Sequence, residues 1–269
     1  MSNIVDFYTN YDEDIRLQSN NARKVEFITT TTMLNSCINQ TDRILEVGAG
    51  TGVYSMYYAE RGHEVTATDL TPKHVEIIES KIRANPTLRM NAKVANATEL
   101  IDFENDTFDV VLCLGPMYHL IDRDAQEKCL SECLRVLKPG GILALAYITK
   151  FSVFPYLLKS DRKFLKESWI HRIVDKGFTS SSEEDCFWTD AYFHSPQEFE
   201  DLLQEKRTDK LLHVASDGIS PLISPLVDGL SPEEFEIWIA YHLKTCHEPS
   251  TLGSSSHALY ICKKQQHRK

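Results

Sequence analysis

The sequence predicts an α/β fold: a parallel sheet covered by helices on both faces. Three observations predict it. From Arg43 to Ile148, apolar runs of strand length alternate with segments of helical spacing. The runs are nearly continuous in apolar character, as in strands buried on both sides. The breaks between them carry the right punctuation, with Gly62 closing one helix and Thr71-Pro72 opening the next.

Taken in order, residues from about Val5 to Ser36 read as mostly helical, because "RKVEFITTTTMLNSCI" places apolar residues on one side. "RILEVG" is the first strand and "GVYSMYYAERG" the helix after it. "EVTATD" is the second strand, followed by the helix "TPKHVEIIESKIRANP". "AKVANA" and "FDVVLCLG" are the third and fourth strands. "RDAQEKCLSECLRVLKPGG" reads as a helix and "GILALAYI" as the fifth strand. Beyond Tyr147 the alternation stops, and eleven of the chain's 26 aromatic residues fall between Tyr147 and His194. A capped helix, "SPQEFEDLLQEK", then resumes order. It is followed by the strand "KLLHVAS", the helix "SPEEFEIWIAYHLKTC" and a last strand, "HALYICKK".

Composition narrows the function. The 269 residues suffice for a substantial core, and 42% hydrophobic with 25% charged residues describes an ordinary globular chain. No apolar run is long enough to span a bilayer, and the acidic, polar start is not a secretory signal. Seven cysteines without framework spacing suggest reduced thiols and a cytoplasmic location. Cys129 and Cys133 sit four apart on a helix with no second ligand pair, so they read as packing and no metal is expected. A formal charge of −10 argues against nucleic acid, whose binders present a basic face.

The strongest local signal is "ILEVGAGTG", from Ile44 to Gly52, with three glycines in five positions after a strand. In an open sheet of this kind, ligands bind beyond the carboxyl ends of the strands, and this turn follows the first. Glu46, two residues ahead of Gly48, would repel a pyrophosphate but suits an ammonium or a sulfonium. Asp69 ends the second strand roughly 20 residues further on, where an acid accepts hydrogen bonds from a ribose. The lesser alternative is a cap on the helix opened by Thr71-Pro72. A ligand with a ribose, a positive charge and close contact with a glycine turn is S-adenosylmethionine.

The run "ILEVGAGTGVYSMYYAERGHEVTATDLTPKHVE", with "VANATEL", "FDVVLCLGPMYHL" and "LSECLRVLKPGGILALAY", resembles the class I S-adenosylmethionine-dependent methyltransferases, most closely their small-molecule, quinone-type branch. The resemblance covers Arg43 to Ile148. It implies a doubly wound, Rossmann-like sheet of seven strands, mostly parallel with the last antiparallel. It implies that Glu46, Gly48, Ala49, Gly50 and Gly52 wrap the methionine part of the cofactor. Asp69 would hold the ribose and Leu70 the adenine. Asn96 and Ala97 stand where the family has an Asp before Ala at the adenine amine, and Leu114 lies beside the reactive methyl. The resemblance divides the chain into an N-terminal helical lid (1–36), the cofactor-binding core (37–148), an aromatic lid insertion (149–195) and a C-terminal completion of the sheet (196–269).

Methyl transfer from a sulfonium is an in-line displacement that needs alignment and a dry site, and a base only if the acceptor keeps its proton. In "GPMYHL", Tyr118 and His119 follow the fourth strand. His119 could be that base, a contact to substrate or cofactor, or a structural residue. Gly115 and Met117 depart from the pattern of enzymes that methylate adenine amines. Tyr8 and Tyr11 of the N-terminal segment, with Phe151 and Trp188 of the insertion, are candidates for a lid over a small acceptor. The same aromatics could instead form a satellite core or a dimer interface, and the oligomeric state stays open. A small-molecule methyltransferase is the leading reading. An enzyme acting on RNA or protein and a non-catalytic cofactor-binding regulator are the alternatives.

Overall fold

The computed structural model describes residues 2–10 and 13–266. The N-terminal segment forms helices α1 (Ser2–Asn10) and α2 (Asn21–Asn35), with a short 3-10 turn at Arg16–Gln18 between them. The core then runs β1 (Arg43–Val47), α3 (Val53–Ala59), β2 (Glu64–Asp69), α4 (Pro72–Ala84), β3 (Met90–Val94), β4 (Phe108–Cys113), α5 (Arg123–Val136) and β5 (Leu137–Thr149). The insertion holds α6 (Lys150–Ser160), α7 (Glu167–Ile170), β6 (Phe178–Thr179) and β7 (Ala191–His194). The chain closes with α8 (Pro196–Gln204), β8 (Thr208–Ala215), α9 (Ser224–Asp228), α10 (Pro232–Thr245), α11 (Pro249–Leu252) and β9 (His257–Lys264).

The main sheet has the order β3-β2-β1-β4-β5-β9-β8. It is parallel from β3 to β5, and β9 runs antiparallel to both β5 and β8. After β3 the chain returns to the opposite side of β1. The topological switch point therefore lies between β1 and β4, where ligands bind in such sheets. Alternate residues of the buried strands feed the two faces. Leu45, Val111, Leu143 and Leu145 pack against Cys129, Leu130 and Cys133 of α5 and Phe199 of α8. Ile44, Val110, Leu112 and Ala144 pack against Leu34 of α2 and Tyr58 of α3. Each such fully buried large aliphatic side chain contributes about 1.5–3 kcal/mol.

Caps lie where the sequence places them. Thr71 precedes Pro72 at the start of α4, and Ser195–Glu198 and Ser231–Glu234 form reciprocal capping boxes on α8 and α10. Two elements differ from expectation. The helix expected to run to Gly141 ends at Val136, and Leu137 already pairs with Phe108 as a strand. Leu137 is fully buried, so sheet pairing outweighs continuation of the helix there. The insertion also contains strands that its composition did not announce. β4 stops opposite Leu145 while β5 continues to Thr149, which leaves an open edge. β7 occupies it in parallel through Ile148–Phe193 and Thr149–His194. Among the described residues no helix is long and apolar enough to cross a membrane.

Candidate active site

β1 and β4 end beside each other, and the glycine turn leaves β1 with positive φ at Gly48, Gly50 and Gly52 (71°, 55° and 82°). Gly48, Ala49 and Gly50 line a cavity of about 370 Å3, within roughly the 300–1,000 Å3 of small-ligand sites. A Cβ on Gly50 would lie 3.3 Å from Cγ of Glu13, where the N-terminal segment comes down on the turn. Gly52 does something else: a Cβ there would lie 2.9 Å from Cγ1 of Ile78. It lets the start of α3 close on α4.

Glu46 and Asp69 are among the acids that line the cavity. Asp69 accepts hydrogen bonds from Gly50 N (2.7 Å) and Thr71 N (2.8 Å) and lies 3.2 Å from Nδ1 of His74. The turn and the residue before α4 are thus tied to one acid, which also lines the cavity. A carboxylate has about four acceptor sites, which leaves one for a ligand hydroxyl. Glu46 is 2% exposed and accepts a hydrogen bond from the Ser55 hydroxyl. Burial raises its pKa to about 7 against the opposing effect of Ser55. A buried acid at such a pKa is an unfilled electrostatic site, and a ligand ammonium would satisfy it.

Leu70, Asn96, Ala97 and Leu114 line the same cavity. Asn96 Oδ1 accepts from the backbone N and hydroxyl of Thr98, both at 3.0 Å, which orders the loop after β3. The residues expected at this end of the sheet are therefore brought together, with Gly52 in the same turn between Thr51 and Val53 of the lining.

The N-terminal segment forms one wall. Ile4 and Tyr8 of α1 line the cavity, Lys73 Nζ donates to Thr9 O (2.5 Å), and Asp14 pairs with Lys81. Tyr8 OH lies 2.8 Å from His119 Nε2, and His119 Nδ1 lies 3.1 Å from Asp190 O. A carbonyl can only accept, so Nδ1 carries the proton and Nε2 accepts from Tyr8. Burial lowers the His119 pKa to about 4. His119 is committed at both nitrogens as a fastener between α1, the rim and the insertion, a position that does not suit a general base. Tyr118 is buried deeply enough to hold its phenol above the ordinary value. Trp188 lies over both residues, with ring centroids 5.0 Å from His119 and 6.2 Å from Tyr118. Phe151 is half-exposed and its ring lies beside Gly253. Tyr11 lies outside the described residues.

A second cavity of about 510 Å3 shares Tyr8, Glu13, Arg16 and Tyr118 with the first. Its wall is aromatic, with Phe7, Tyr156, Phe187, Trp188 and Phe193. Some of the same rings pack with Trp169 in a small core, so the insertion is both a wall and a satellite core. One end is charged. Arg16 is held between Glu13 (2.6 Å) and Glu26 (3.1 Å), and His257 Nδ1 lies 2.7 Å from Asp217 Oδ2 and 3.6 Å from Glu26 Oε2. Burial works against the Arg16 charge, yet Glu26 and Glu13 hold its pKa above the ordinary value. Burial would raise the Glu26 pKa, but Arg16 and His257 bring it below the usual range. Sequence reasoning missed this group. Its members come from distant parts of the chain, and only the mixed charges of "YDEDIRL" hinted at it.

Among the described residues, two groups of potential metal-ligating atoms lie within 4.8 Å of one another: Glu26, Asp217 and His257, and the buried thiols Cys113, Cys129 and Cys133. The guanidinium of Arg16 already sits on Glu26 in the first. The second is embedded in the apolar core between β4 and α5.

A methyltransferase-domain family profile matches residues 44–141. An uncharacterized methyltransferase-like protein of Schizosaccharomyces pombe is 33% identical over 123 residues, 45% of this chain and 44% of that one. A ubiquinone biosynthesis O-methyltransferase of Xanthomonas oryzae pv. oryzae is 32% identical over 109 residues, 40% of this chain and 44% of that one. The matches thus span less than half the length of these relatives. The fold is shared across nearly the whole chain with the Burkholderia thailandensis 1,6-didemethyltoxoflavin-N1-methyltransferase, solved with S-adenosylhomocysteine. The TM-score is 0.59 at 15% identity, covering 98% of this chain and 87% of that one. The glycine turn with its two acids, the switch-point cavity and the matched segment agree: residues 44–141 match the methyltransferase-domain family, and the fold is the one solved S-adenosylmethionine-dependent methyltransferases share.

Proposed function

We propose that the protein transfers a methyl group from S-adenosylmethionine to a small acceptor with an aromatic body. The observation that carries this reading is the pair of joined cavities, one built from the motif residues and the other walled by aromatic rings, meeting at Tyr8, Glu13, Arg16 and Tyr118.

In this reading Glu46 receives the cofactor's ammonium, Asp69 its ribose, and Leu70, Asn96 and Ala97 the adenine. The bound cofactor supplies an electrophilic methyl on a sulfonium. The chain's own contribution is alignment and exclusion of water. Tyr118, at the junction of both cavities, limits how the acceptor approaches. Helix α1, fastened through Tyr8 to His119, separates the junction from bulk solvent. The ubiquinone-biosynthesis relative is named for methylating oxygen, which supports a hydroxyl as the attacking group.

Titration calorimetry should detect S-adenosylhomocysteine binding and no NAD binding. A screen of aromatic metabolites for acceptor-dependent S-adenosylhomocysteine release should then identify the substrate. Release with a macromolecular acceptor and none of the small molecules would replace this reading by the RNA or protein alternative.

A further inference from the structure

The charged end of the second cavity has a geometry that cofactor binding does not use. His257 begins β9, where its backbone pairs with Ile148 at the carboxyl end of β5. The strand pairing fixes its Cα, and Asp217, in the loop after β8, fixes its ring. Asp217 is 2% exposed and its Oδ1 accepts from His257 N (2.9 Å) and Ser255 Oγ (2.9 Å). Its other oxygen meets His257 Nδ1 at 2.7 Å. The carboxylate is thus locked by backbone and side chain, and Nδ1–H donates to it. Nε2 is the remaining lone pair of the ring, on a side chain that lines the cavity. The Tyr118 ring, at the junction with the first cavity, lies 6.4 Å from the His257 ring.

A histidine on the wall of a cavity, with one ring nitrogen held by a buried carboxylate, is the arrangement of a proton acceptor. We propose that His257, oriented by Asp217, takes the proton from an aromatic hydroxyl bound in the second cavity; this rests on the methyl-transfer reading above. The O–H proton passes to Nε2, and the oxygen's electron pair forms the new C–O bond. The S–CH3 bond breaks with its pair retained by sulfur. The imidazolium later returns its proton to water. Asp217 stays ionised throughout and acts as a positioning residue.

Asp217, Glu26, Arg16 and Tyr118 act on the ring, and Glu13, Arg23 and Lys159 are further charged groups lining the same cavity. Burial works against a charged His257, and Glu26 and Asp217 more than compensate, so its pKa lies above the ordinary histidine value. The same two acids that favour the imidazolium would favour proton transfer from a weakly acidic hydroxyl.

The test uses 4-nitrophenol, whose absorbance reports its own ionisation, with the protein saturated by S-adenosylhomocysteine. Calorimetry first establishes that S-adenosylhomocysteine binds; failure there overturns the methyl-transfer reading itself. With it bound, 4-nitrophenol should ionise at a pH about 1–3 units below the free probe, the size of effect an adjacent cation produces. His257→Gln should abolish that displacement while keeping its S-adenosylhomocysteine affinity, which shows that the variant is folded. Asp217→Asn, scored only if it too retains that affinity, should reduce it. Probe that fails to bind the loaded protein overturns the proposal. So does probe ionising alike in the parent and His257→Gln.

Discussion

Glu46 makes cofactor affinity depend on pH in a way that can be worked out beforehand. The unliganded pKa is about 7, raised by burial. A ligand ammonium next to the carboxylate favours its charged form, so binding selects ionised Glu46 and releases the proton when it is present. The ionised fraction is about 0.9 at pH 8 and about 0.1 at pH 6. S-adenosylhomocysteine should therefore bind about tenfold more weakly at pH 6 than at pH 8, equivalent to about 1.4 kcal/mol. Calorimetry at pH 6 in buffers of different ionisation enthalpy should show release of about 0.9 proton per ligand bound. In Glu46→Gln both effects should vanish, and affinity at pH 8 should fall because the ammonium loses its counter-charge. Titration of the ligand itself is common to both proteins and cancels in the comparison. A parent affinity that is flat between pH 6 and 8, or a pH dependence that survives in Glu46→Gln, would refute the reasoning.

The same residue sets a stability trend in the unliganded protein. Its folded-state pKa is raised from 4.5 to about 7, so its contribution is fully present below about 4.5 and is lost as pH rises through about 7. Glu46→Gln should thus be more stable than the parent at pH 8, by up to roughly 3 kcal/mol, and lose that advantage at pH 4.5, as measured by denaturant unfolding. Because His119 titrates near 4, His119→Gln should leave the pH profile of methyl transfer between pH 6 and 8 unchanged in shape; a limb that disappears with the histidine would restore it as the base. Tyr8→Phe leaves His119 Nε2 without its partner. That should weaken lid docking by about 1–3 kcal/mol, seen as faster proteolysis within α1 and faster S-adenosylhomocysteine dissociation. Gly52→Ala drives a Cβ against Ile78, whereas Gly50→Ala meets only the flexible stem of Glu13. The backbone alone costs each variant about 1–2 kcal/mol. The first should therefore lose more melting temperature, and the second should lose affinity at a smaller cost in stability.

Much of the switch-point cavity was legible in the sequence because it is built from short windows. The apolar strand at Ile44–Val47 leads directly into the glycine turn, and Asp69 ends the neighbouring strand before a Thr-Pro helix start. Strand and helix periods, caps and positive-φ glycines are local properties, and local sequence expresses them. What Gly52 does was not legible, because its contact with Ile78 belongs to the packing of α3 on α4. The state of His119 was not legible either. A histidine's titration is governed by burial and partners, and its partners here, Tyr8 and Asp190, lie far away along the chain in opposite directions. The place of β7 depends on where β4 happens to stop. The charged end of the second cavity is the clearest case. Arg16, Glu26, Asp217 and His257 carry no spacing signal, since their proximity exists only once β9 inserts between β5 and β8 and the N-terminal segment folds over the sheet. Side chains that act on one another through space, rather than along the backbone, are related only by the tertiary fold.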